Sequence, residues 1–114
     1  MKIAVIGSRG LSVDISAYIP KETTMIVSGG AVGIDTLAER YALSAGIPFQ
    51  KFLPDYRLHG RRAPLVRNTQ IVDAADLIVA VWDGCSRGTA FTIRYARRQG
   101  KPVQVHIIPC RASL

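Results

Sequence analysis

The chain has 114 residues and a mass of 12.4 kDa, the size of one compact domain that closes its own core without disulfide or metal staples. Its 48% hydrophobic and 20% charged residues exclude a largely disordered chain, and no apolar run approaches the roughly 20 residues that span a bilayer. Fifteen Lys+Arg against eight Asp+Glu give a net charge of +7 and a pI near 10.0, which favours anionic partners: nucleotides, nucleic acid or acidic proteins.

In chain order, residues 3–6 form a continuous apolar run that reads as a buried strand. The apolar part of this N-terminus is too short for a signal peptide, so a cytoplasmic chain is expected. Gly7-Ser8-Arg9-Gly10 breaks the strand. Ser12 is placed to cap a short helix with Ile15, Tyr18 and Ile19 inside, ended by Pro20. Residues 24–27 form a second strand, stopped by Ser28-Gly29-Gly30. From about Val32, apolar residues recur at Ile34, Leu37, Ala38, Tyr41, Ala42 and Ala45. That spacing predicts a helix with one inner face. Gly46 supplies its left-handed stop, and Pro48 prevents continuation.

Residues 49–53 alternate apolar and polar, as a third strand near the sheet edge does. Residues 55–64 read as a polar, basic loop with Arg57, His59, Arg61 and Arg62. Pro64 suits the first turn of a helix running to about Ala75. Residues 77–82 are a fourth buried strand. Asp83-Gly84-Cys85-Ser86-Arg87-Gly88-Thr89 is a third glycine-rich loop, followed by a helix to Gln99. Residues 103–108 form the last strand, and a short tail follows Pro109. Apolar strands alternating with helices require a parallel sheet covered on both faces. The expected fold is a three-layer, doubly wound α/β domain, Rossmann-like, with a five-stranded parallel sheet in the order 3-2-1-4-5.

In such a sheet, ligands bind beyond the carboxyl ends of the strands where strand order reverses. The three glycine-rich loops, at 7–10, 28–33 and 83–89, fall there. Glycine lets backbone approach a ligand closely, and helix N-termini favour an anion. Ser8, Ser28, Ser86 and Thr89 bring hydroxyl donors, and Arg9 and Arg87 bring charge. There is no G-x-x-x-x-G-K-[ST] and no G-x-G-x-x-G after the first strand, which excludes a P-loop NTPase and disfavours a standard NAD enzyme. Cys85 and Cys110 lack a C-x-x-C partner, and His59 and His106 lie outside ligand spacing. No metal and no cofactor is expected. Gly29-Gly30 is expected to bring backbone against a phosphate, so that Gly30→Val abolishes binding while the fold survives.

The motifs G-S-R at 7–9, S-G-G-A-x-G-I-D at 28–35, Arg67-Asn68, and W-D-G-x-S-x-G-T at 82–89 resemble those of the SLOG superfamily. That group includes DprA/Smf and the Lonely Guy phosphoribohydrolases, and the nearest branch is the small YspA-type domain. The resemblance implies ligand binding by Gly7, Ser8, Arg9, Ser28, Gly29, Gly30, Gly33, Asp35, Arg67, Asn68, Gly88 and Thr89. The loop reading adds Asp83, Gly84 and Ser86. Lonely Guy enzymes carry a catalytic glutamate where this chain has Thr92, which is no anionic base. The expected function is therefore binding of a nucleotide or nucleotide-derived ligand, as a sensor or ligand-binding module. The rivals are a nucleoside-monophosphate N-glycosidase using Asp35, Glu39 or Asp83, and single-stranded DNA binding as in DprA. The resemblance also implies a homo-oligomer.

Overall fold

The computed structural model describes residues 1–30 and 33–109. The expected start of the first long helix at Val32, together with Cys110 and the tail, lies outside the described residues. Five strands, β1 (Lys2–Gly7), β2 (Met25–Gly29), β3 (Phe49–Phe52), β4 (Leu77–Trp82) and β5 (Val103–Ile107), form one sheet in the order β3-β2-β1-β4-β5. Every neighbouring pair is parallel. The fold is thus the doubly wound, Rossmann-like α/β architecture that the alternation of apolar runs predicts.

The sheet's two faces follow from period-two alternation along each strand. Ile3, Val5, Ile26, Leu77, Val79 and Val81 face one core, roofed by α1 (Ile34–Ala45) and by Leu11, Ile15 and Ile19 of the β1–β2 connection. Ala4, Ile6, Val27, Ile78 and Ala80 face the other, roofed by α3 (Ala63–Ala74) and α4 (Arg87–Arg98). Ile3, Ile26, Ile71 and Ile78 are each at most 1% exposed, and each such burial contributes about 1.5–3 kcal/mol. β1 lies between β2 and β4, with Ala4 opposite both Val27 and Ile78. The connection from β1 goes to one side and that into β4 to the other, so a crevice opens beyond the carboxyl end of β1.

Boundaries move modestly from those predicted. The short helix expected after Ser12 is one 3-10 turn, Ser16–Tyr18, entered from Ile15 with no side-chain cap. β2 runs on through Ser28 and Gly29. The basic loop holds a short helix, α2 (Tyr56–His59), whose first turn is capped by Asp55 accepting from the Leu58 amide, and a 3-10 turn, Gly60–Arg62. Gly46 does take the left-handed conformation, at φ 68°, as the stop of α1. Among the described residues no helix is long and apolar enough to cross a membrane.

Candidate functional site

The crevice is a cavity of about 430 Å³, within the range of small-molecule sites. Four chain segments build it. Gly7, Arg9 and Gly10 come from the loop after β1. Asp35 comes from the first turn of α1, and Pro64, Arg67 and Asn68 from α3. Asp83, Ser86, Gly88, Thr89 and Thr92 come from the loop after β4 and from α4.

The β4–α4 loop is held open by one carboxylate. Asp83 Oδ1 accepts from the amides of Cys85 and Ser86, both at 2.8 Å. The Asp83 amide in turn donates to Ser8 Oγ at 3.1 Å. Those amide hydrogen bonds, first that from Cys85, hold the Asp83 carboxyl below the ordinary aspartate value. Trp82 Nε1 donates to the Ser86 carbonyl at 3.0 Å, so the indole fixes the loop from beneath. Ser86 sits at the N-cap of α4 but caps nothing: its hydroxyl donates to Thr89 Oγ1 at 3.0 Å instead. α4 therefore starts without a side-chain cap, and its first turn lines the crevice through Gly88 and Thr89, an arrangement that suits an anion.

Opposite them stands Arg67. It is only 7% exposed, so it is no solvated surface charge. Its Nε donates to Asn68 Oδ1 at 2.8 Å, and Nη1 makes a long contact to the Phe52 carbonyl at 3.5 Å. Described residues engage two of its five donors. Burial pushes its guanidinium below the usual arginine value; Asp35 opposes that shift and Arg9 adds to it. A buried cation so placed has anion-binding capacity to spare.

Asn68 links the helices. Its Nδ2 donates to Thr92 Oγ1 at 2.9 Å, and Thr92 Oγ1 donates to the Gly88 carbonyl at 2.8 Å. Thr92 is fully buried. Its hydroxyl donates and accepts within the fold.

The expected site residues separate into two groups. Gly7, Arg9, Asp35, Arg67, Asn68, Asp83, Ser86, Gly88 and Thr89 line the crevice. The others hold it from behind or lie beside it. Ser8 is buried beneath Asp83. Ser28 Oγ lies 2.6 Å from the Val5 carbonyl and 3.1 Å from Asp35 Oδ1, bracing that carboxylate. Gly33, at φ 84°, enters α1 where an added Cβ would collide with the Arg9 backbone, and Gly84, at the same φ, turns the exposed loop. Gly29 packs under the side chains of Arg67 and Asp35, where an added Cβ would stand 2.6 Å from Arg67 Nη1 and 2.8 Å from Asp35 Oδ2.

Gly30 lies beside the crevice rather than in its lining. It is exposed and lines a separate 200 Å³ cavity with Leu53, Pro54 and Tyr56, which shares Arg9, Pro64 and Arg67 with the crevice. A Cβ there would meet the tip of Leu53 at 2.5 Å. Glu39, weighed as a substitute acid, pairs with Lys51 at 3.0 Å and does not line the crevice. Sequence reasoning missed Ile6, Pro64, Leu65 and Ile71 as crevice walls. Pro64 carried a signal, being about one turn before Arg67 on the same helix. Among the described residues no cluster of His, Cys, Asp and Glu could hold a metal.

Fold and site together define a Rossmann-like α/β domain with a polar crevice at its topological switch point. The chain is 34% identical over 85 residues to the Gene 61 protein of Mycobacterium phage D29, covering 69% of this chain and 68% of the phage protein. It belongs to the family of that protein. No family profile matches the chain, and no solved structure matches it.

Proposed function

We propose that the crevice binds a nucleotide or nucleotide-derived small molecule through its phosphate, as a ligand-binding or sensing module. The observation that carries this is the uncapped N-terminus of α4, opening into the same cavity as the buried guanidinium of Arg67. A phosphate there accepts hydrogen bonds from the helix amides and a charge-assisted pair from Arg67. Asn68 Oδ1 holds the guanidinium from the other side through its Nε. The resemblance to SLOG proteins points the same way.

Binding without turnover is favoured over N-glycosidase chemistry by Thr92, whose hydroxyl is locked between Asn68 and Gly88, and by Asp83, whose carboxylate is spent on its own loop. Mass spectrometry of small molecules released on denaturing the purified protein tests the reading. A phosphorylated nucleoside derivative is expected. Incubation with AMP is expected to release no free adenine above background. Adenine release that disappears in Asp35→Asn would replace the binding reading with the enzymatic one.

A further inference from the structure

The net charge is not spread over the molecule. The helical layer of residues 55–74 and 87–98, which holds α2, α3 and α4, carries eight arginines against Asp55 and Asp73, a net +6 of the chain's +7. The remainder has seven cations against six carboxylates. Every cation of the layer is arginine; the four lysines all lie elsewhere. The two acids are already engaged, Asp55 by the Leu58 amide and Asp73 by the Tyr95 hydroxyl. Among the described residues none of the layer's arginines forms an ion pair; the one pair found, Lys51–Glu39, is on β3 and the opposite layer.

Four of these arginines, Arg87, Arg94, Arg97 and Arg98, are exposed on α4. Arg87, Arg94 and Arg98 stand at i, i+7 and i+11, one stripe about 16 Å long. That length of duplex carries about ten phosphate charges. Arginine's planar fork matches phosphate, and a net charge of +6 on one layer favours an anion covering it. The stripe has no stacking platform of the kind single strands require: Phe91 and Tyr95 are half-buried, and the Tyr95 hydroxyl is tied to Asp73.

We infer that the exposed arginine face of α4 docks the phosphate backbone of double-stranded nucleic acid, without reading its sequence and independently of the crevice. The test is fluorescence anisotropy of a labelled 20-base-pair DNA duplex and of a single strand of the same length, between 50 and 200 mM salt. Binding of the duplex, stronger than of the single strand and falling steeply with salt, is expected. The triple variant Arg94→Ala, Arg97→Ala, Arg98→Ala is expected to lose at least 10-fold in duplex affinity, with a log–log salt slope smaller by about 2–3. The triple variant Lys2→Ala, Lys21→Ala, Arg40→Ala changes net charge equally at exposed positions off this layer, and is expected to stay within 2-fold of wild type. Equal losses in the two triple variants, no duplex binding at 50 mM salt, or tighter binding of the single strand would each overturn the inference. All substitutions are at exposed positions, and alanine favours helix.

Discussion

Gly29 is the residue whose missing side chain matters most to the crevice. Its Cβ position is occupied by the ends of Arg67 and Asp35, so Gly29→Ala must push the guanidinium aside. We expect a folded protein, destabilised by about 1–3 kcal/mol, with impaired nucleotide binding. At Gly30 an added Cβ meets the exposed side chain of Leu53 and, at 3.5 Å, that of Lys51, so Gly30→Val is expected to bind nearly as wild type, which calorimetric titration of the two variants checks. The glycine pair reads alike in sequence, because both follow a strand and precede a helix. Only the packing behind them separates a site residue from its neighbour. Asp83 gives a residue-scale prediction with a pH sign. Its folded pKa lies below the reference 3.8, so its contribution to stability is complete above that value and is lost as pH falls through the folded pKa. The stability difference between wild type and Asp83→Asn, measured by urea unfolding, is expected to be constant from pH 5 to 7. It should shrink below pH 3.8; a difference that grows with acid would contradict the assignment.

At the scale of elements, α3 and α4 are clasped across the crevice floor by the Arg67–Asn68–Thr92–Gly88 chain. Thr92→Val keeps shape and removes the hydroxyl, leaving the Asn68 side-chain amide without its acceptor and the Gly88 carbonyl with its helical bond alone. A loss of about 1–3 kcal/mol is expected, read as a lower urea midpoint at unchanged slope. Ligand affinity should fall with it, because Asn68 orients the Arg67 Nε. None of this clasp is legible in the sequence: Asn68 and Thr92 are 24 residues apart, and a threonine one turn into a helix looks like any other. Nor is the link from Ser8 to the Asp83 amide, 75 residues away. The short α2 hides for another reason. It has four residues, too few for a helical period to show, and its Asp55 cap looks the same as a turn residue.

At the scale of the molecule, the strands and their order were legible because each buried strand is an unbroken apolar run ended by glycine or proline. Parallel pairing and right-handed crossover then leave few topologies. The order places β1 between β2 and β4 and brings three distant loops to one end of the sheet, which is why nine of the fifteen expected site residues line a single cavity. What topology cannot say is which loop residues point inward and which brace the wall. The central claim is that this cavity grips phosphate with Arg67. The direct measurement is calorimetric titration of AMP and of adenosine into wild type, Arg67→Ala, Arg67→Lys, Arg97→Ala and Arg98→Ala. The account predicts that AMP binds wild type at least 10-fold tighter than adenosine, that Arg67→Ala loses roughly 10- to 100-fold for AMP, that Arg67→Lys recovers only part, and that the two α4 variants match wild type. Equal affinity for AMP and adenosine, or AMP binding that survives Arg67→Ala unchanged, would contradict it.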